Sequence, residues 1–220
     1  IAFVWAALAM VPAAFLVGLT GTIHALVHTA LLEYIPFILL LLALFTVASG
    51  IVVSGNLRGA PVTNTVLLGI GTILASLIGT TGASMVMIRP VLRANDDRKH
   101  NVHVVVFFIF LVSNIGGSLT PLGDPPLFVG FLHGVDFFWT TRNMLIETAL
   151  VAGLVLTIFL LLDLWYYRKD RLVTTVGEAP APMNLGISGS INFLLIAGII
   201  GGILMSATWK PGISFDVYGT

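Results

Sequence analysis

The chain has 220 residues, 57% of them hydrophobic and 9% charged, with ten Lys and Arg against ten Asp and Glu. A soluble domain carries about 25% charged residues, so this composition and a mean hydropathy of +1.04 exclude a soluble protein, and zero net charge offers no field to gather nucleic acid. Without cysteine, disulfides, thiolate metal sites and iron–sulfur clusters are excluded too.

Ile1 lies inside an apolar run with no signal peptide before it, and Thr220 closes on no structural punctuation. The chain reads as an internal piece of a longer protein. A spanning helix needs about 20 mostly apolar residues. The first candidate is Ile1–Leu19, followed by a loop over Thr20–Tyr34. The second is Ile35–Val53, with Pro36 in its first turn, where proline is tolerated. A third apolar region, Val66–Leu92, is interrupted by Gly79-Thr80-Thr81-Gly82. A fourth runs Val102–Ile115 and resumes as Leu127–Phe138 after a stretch rich in glycine and proline. The fifth is Thr148–Tyr167, a polar segment covers Arg168–Ser190, and the last candidate is Ile191–Ala207.

Excess Lys and Arg in short loops marks the cytoplasmic side. Thr20–Tyr34 has none. Arg58 lies before the third region, and Arg93, Arg98 and Lys99 follow it; Arg168, Lys169 and Arg171 follow the fifth. With Arg58 and the Arg93–Lys99 cluster on one side, the region between them must cross an even number of times. Two full crossings need about 40 residues, so Val66–Leu92 is expected to be a re-entrant hairpin with its tip at Gly79–Gly82. Glycine turns tightly there, and threonine can satisfy freed backbone groups.

The most informative stretch is Ser113–Phe131, SNIGGSLTPLGDPPLFVGF. Irregular backbone at membrane depth survives only against a cavity or buried in protein, and an ionisable group there marks a functional site. Thr80, Thr81, Ser113, Ser118 and Thr120 offer hydroxyls, Asn114 an amide, and Gly116 and Gly117 close backbone approach to a small ion. Asp124 is the carboxylate of the broken helix. Asp124 either caps the half-helix starting at Pro125 or combines capping with an ion or proton role. Asp124 and Asn114 are the candidate sodium ligands, with sodium and protons as transported or coupling ions and no other cofactor.

Weaker candidates surround these. His24 and His28 share a helix face but lack a third ligand. Glu33, Asp136 and Glu147 are expected to be solvated, and Asp163 to pair or snorkel near the cytoplasmic end. Arg89 is expected to anchor that end, with attraction of an anion as the alternative. Trp139, Trp165, Tyr166 and Tyr167 read as interface aromatics, and the glycines of Gly198–Gly202 as close-packing positions.

Asn114–Pro126, NIGGSLTPLGDPP, resembles the signature of the ion transporter superfamily, in its branch of citrate–metal transporters, arsenite permeases and NhaD-type sodium/proton antiporters. Gly79–Asn95, GTTGASMVMIRPVLRAN, is similar to the matching hairpin tip and return arm of a sodium:proton antiporter subgroup. The resemblance covers roughly Tyr34–Arg142. It implies an all-α polytopic bundle carrying the first pair of an inverted repeat, one hairpin and one discontinuous helix. Residues 1–63 would be scaffold helices, 64–138 the transport part, and 139–220 further helices around a cytoplasmic loop at 168–190. The motif match puts Thr80, Thr81, Asn114, Gly116, Gly117, Thr120, Gly123 and Asp124 at the site, with Gly79, Gly82, Pro121, Pro125 and Pro126 as breaking residues. Leu127 stands where the permease-like pattern often has asparagine, which weakens an arsenite or organic-anion substrate.

The expected activity is secondary transport, led by sodium/proton antiport in a bacterial inner membrane. A cation-coupled carrier of citrate-like carboxylates or oxyanions is the rival, and a channel or non-transporting subunit the third reading. Nothing suggests an enzyme. The expected partners are the bilayer and small ions or a small anion, with a homodimer admitted and no nucleic acid.

Overall fold

The computed structural model describes residues 1–55, 58–171 and 185–209. Among the described residues the regular structure is helical except for one two-stranded sheet. Helix α1 spans Ala2–Thr29 and passes through a π-helical turn, Ala30–Tyr34, into α2, Ile35–Ser49. Strand β1 is Val52–Gly55, α3 Pro61–Ala94, and α4 Val102–Leu111. A 3₁₀ turn at Ile115–Leu119 leads to α5, Pro125–Leu132. Then come α6, Trp139–Arg171, strand β2, Leu185–Ser188, and α7, Ile191–Thr208. Four stretches, Val4–Ser49, Pro61–Ala94, Val102–Leu119 and Trp139–Asp170, are long and apolar enough to cross a membrane.

The third apolar region is a helical hairpin. A straight helix over Pro61–Ala94 would be about 51 Å long, yet its ends meet, with Asn64 and Asn95 each donating an amide hydrogen bond to the other at 2.9 Å. The reversal sits at Gly79, with φ 81° and ψ 155°, a backbone region that is essentially glycine-only. Its arms are about 27 and 22 Å long at 1.5 Å per residue, so the tip reaches deep into a hydrocarbon core about 30 Å thick.

Gly18 has nearly the same dihedrals, φ 81° and ψ 160°, inside Leu16-Val17-Gly18-Leu19-Thr20-Gly21. That run parallels Leu77-Ile78-Gly79-Thr80-Thr81-Gly82 around the hairpin tip. The first spanning helix therefore ends where expected, but Thr20–Tyr34 is not a loop. It holds one formal charge, Glu33, among apolar residues, and the Thr22 hydroxyl donates to the Gly18 carbonyl at 2.9 Å. Nothing in it terminates a helix, so helical structure continues to Ser49. The second helix also stops short of Val53, because Val52–Gly55 pairs antiparallel with Leu185–Ser188. Helix α6 starts at Trp139 rather than Thr148.

The larger core packs Leu68, Ile78, Met87 and Val91 of the hairpin against Val104, Phe108 and Leu111 of α4 and Phe159 of α6. Burying one such side chain contributes about 1.5–3 kcal/mol. The opposite face of α6 presents Leu150, Leu154, Ile158 and Leu161, all exposed, at helical spacing; a bilayer suits that face. The smaller core joins Leu40 and Leu44 of α2 to Leu122, Phe128 and Phe137. Close packing expected at Gly198–Gly202 is not made among the described residues: a Cβ at Gly198, Gly201 or Gly202 would meet nothing within 4 Å.

The hairpin brings both its ends to one face of the bundle. Arg98, beyond the return arm, lies 2.5 Å from Asp163 and 3.8 Å from Asp170 of α6, so the basic segment at 98–100 and the end of α6 share that face. Cysteines introduced at Arg58 and Lys99, both exposed, are therefore expected to react with an impermeant maleimide from one side of the membrane, and one at Val135 from the other. Opposite-sided labelling of the first pair would contradict the hairpin.

Candidate functional site

The tip of the hairpin meets the break between α4 and α5. The Thr80 hydroxyl donates to the Gly123 carbonyl at 3.0 Å, and the Thr80 amide approaches the same oxygen at 3.4 Å. On the outgoing arm the Ser76 hydroxyl donates to the Gly116 carbonyl, and the Thr120 hydroxyl to the Ser76 carbonyl, both at 2.6 Å. On the return arm the hydroxyls of Ser84 and Ser113 are 2.9 Å apart. Each freed backbone group named here gains a partner, as irregular structure at membrane depth requires. Neither Ser76 nor Ser84 stood out in the sequence; their signal was small hydroxyls on both sides of Gly79, at 76 on the outgoing arm and at 80 and 84, one turn apart, on the return arm.

Glycine makes the junction close. A Cβ on Gly123 would overlap the Gly117 carbonyl, and one on Gly117 would come within 2.6 Å of Thr80 Cγ2. Gly116 is equally enclosed, with the Thr72 carbonyl 2.5 Å from where its Cβ would be. Gly116 and Gly117 are thus enclosed by protein atoms, among them the Thr72 and Gly123 carbonyls and the Thr80 methyl. The Ser118 hydroxyl donates to the Ile115 carbonyl and lies 3.1 Å from the Thr148 hydroxyl of α6, while Thr140 and Thr141 both donate to the Leu119 carbonyl. Asn114 is exposed.

Beside the junction lies a cavity of about 360 Å³. Its polar wall is formed by Gly79, Thr80, Thr81, Gly82, Gly123 and Asp124, and its apolar wall by Phe37, Leu41, Leu44, Phe45 and neighbours on α2; Pro121 and Pro125 also line it. Pro126 is exposed beyond it. Among the described residues, Asp124 is the one acidic residue lining it, and no basic residue does. Asp124 occupies the N-cap position of α5, with extended backbone, but its side chain makes no capping hydrogen bond. The reason is chemical: Pro126, at the second position, has no N–H to give, and the N–H of Leu127, at the third, goes to the Asp124 main-chain carbonyl at 3.1 Å. Capping by the side chain therefore does not occupy this carboxylate, and among the described residues it has no hydrogen-bond or ion-pair partner.

A second polar group lies where the hairpin closes. Asp163 is fully buried, receives the Asn64 amide at 2.9 Å and His103 Nε2 at 2.8 Å, and forms an ion pair with Arg98 Nη2 at 2.5 Å. Arg98 also donates to the Gly59 carbonyl, and His100 lies 2.5 Å from Asp170. The pairing expected of Asp163 is present, and its partners come from three other parts of the chain. Elsewhere Glu33 lies 3.6 Å from His133 and Asp136 the same distance from Arg142. His24 and His28 acquire no third ligand: among the described residues no group of three His, Cys, Asp or Glu could hold a metal.

A family model described as "Putative citrate transport" matches residues 1–220. The chain belongs to this citrate transport family. By family it is a membrane transporter chain, and its apolar helices are long enough to cross a membrane. No curated protein and no solved structure matches it.

Proposed function

We propose that this chain builds the cation site of a secondary active transporter and exchanges sodium for protons at Asp124. One observation carries the reading: an unpartnered carboxylate lines a cavity whose other polar groups are hydroxyls and backbone. Oxygen ligands of this kind suit a hard cation. An apolar wall favours any species that neutralises the carboxylate, and a sodium ion and a proton can each do so. Two species competing for one charge, with the site opening first to one side and then the other, is sufficient for exchange. Half-helix ends meeting near mid-membrane are the recurring site of coupling ions in secondary transporters. In this reading a second, inverted repeat supplies the other half of the site, and the setting is a bacterial inner membrane.

The family description favours a second reading, in which the same site holds the cation that drives uptake of a citrate-like carboxylate. The two are separated in everted vesicles containing the full-length protein. Antiport predicts that added sodium collapses a respiration-generated pH gradient without citrate present. If sodium has no effect alone but citrate accumulates with a cation, antiport is wrong and carboxylate transport takes its place.

A further inference from the structure

A second cavity, of about 310 Å³, lies in the same groove between α2 and the return arm, nearer the end of the bundle that carries the basic residues. Ala48, Ser49 and Val52 line one side, and Met85, Arg89 and Arg93 the other. Arg89 and Arg93 are four residues apart on one helix, so their side chains share a face. Among the described residues, no acidic one lines this cavity. Among the described residues neither arginine has an ion pair, whereas Arg98 faces two carboxylates and Arg142 one. Arg89 sits about 9 Å inward from Asn95 along the helix, and both arginines are exposed to the groove's surroundings rather than packed against protein. The tip cavity and this one are separated where Gly82 passes Ala48, the Cβ position of the former lying 3.2 Å from the Cβ of the latter. The groove thus has a carboxylate at its deep end and two guanidinium groups at its mouth.

We propose that Arg89 and Arg93 form an oxyanion-binding vestibule at the mouth of this groove. Two planar guanidinium forks can each take a carboxylate or phosphate through paired N–H donors. The chemistry is common to a soluble polycarboxylate and to the phosphate of an anionic lipid. The site is independent of the cation reading, since it needs neither sodium nor Asp124.

The test uses the full-length protein in two arms, both without sodium. In nanodiscs of phosphatidylcholine alone, radiolabelled citrate is expected to bind saturably. Arg89→Gln with Arg93→Gln is expected to weaken that binding at least about tenfold, and the paired Lys substitutions, which keep charge but lose the fork, to give an intermediate loss. In the second arm, protein extracted from native membranes in mild detergent is weighed by native mass spectrometry. Bound anionic phospholipid that is depleted in the Gln pair identifies a lipid headgroup as the occupant. Where the Gln pair is not monodisperse, the Lys pair and the single Arg89→Gln variant carry both arms. Wild-type protein that binds neither ligand, or variants that bind both as well as wild type does, would overturn the proposal. A sodium/proton exchanger lacking Asp124 dependence would leave it standing.

Discussion

Asp124→Asn is expected to abolish sodium-driven proton release while leaving the protein folded. The substitution keeps the size of the side chain and one oxygen, removes the charge, and replaces the second acceptor oxygen with an NH2 donor. Unit charges about 4 Å apart interact by ~4 kcal/mol at an effective dielectric of ~20, so cation binding should weaken by roughly a thousandfold. Because the Asp124 side chain makes no capping bond, no native hydrogen bond is lost, and the melting temperature in detergent should match wild type. Thr81→Ala removes a neutral oxygen from the same cavity wall and is expected to raise the sodium concentration for half-maximal response about tenfold, in line with a single lost ligand. The measurement is the sodium-dependent recovery of acridine-orange fluorescence in everted vesicles, at matched protein levels. Wild-type exchange from Asp124→Asn would sink the cation-site reading, because no other acid among the described residues lines the cavity.

The hairpin was legible because two independent constraints met on it. The positions of Arg58, Arg93, Arg98 and Lys99 demanded an even number of crossings, and Gly79 stood where the chain could reverse. The broken helix was legible for a similar reason, since Pro125 and Pro126 can start a helix but not continue one. Thr20–Tyr34 misled because histidines and threonines lower its hydropathy without ending a helix. The partners of the hydroxyls were not legible at all. Thr80 and Gly123 are 43 positions apart, and Thr120 and Ser76 are 44 apart, so local sequence carries no trace of the pairing. The same holds for Asn64 and Asp163, separated by 99 positions. A lone asparagine in an apolar helix signals a buried partner without saying which. The sequence pattern therefore located the irregular segments, and three-dimensional packing decided which of their polar atoms are left over. Asp124 matters because it is left over; Thr120 and Ser118, equally prominent in the motif, are bonded to protein.

Asp163→Ala is expected to be the most destabilising single substitution in the bundle, and its partners explain why. The carboxylate is fully buried, and Arg98 beside it has a side-chain exposure of 7%. Removing one member of a buried pair leaves an uncompensated charge and costs about 3–5 kcal/mol. Here the loss also strips acceptors from Asn64 and His103. Those residues lie on the outgoing arm and on α4, so the damage reaches the base of the hairpin and the helix that leads to the break. Thermal unfolding of the full-length protein in detergent should show a large drop in midpoint. Truncating Arg98 as well, in Asp163→Leu with Arg98→Met, is expected to recover much of that loss, since a well-packed apolar pair can replace a buried ion pair at little cost. A role confined to electrostatic pairing predicts this recovery. If the double variant is no more stable than Asp163→Ala, the hydrogen bonds to Asn64 and His103, rather than the ion pair, hold the base of the hairpin. A midpoint unchanged in Asp163→Ala itself would mean that the network contributes nothing to the fold, and the closure of the hairpin would then rest on the Asn64–Asn95 amide pair and the packing around Met87 and Val91.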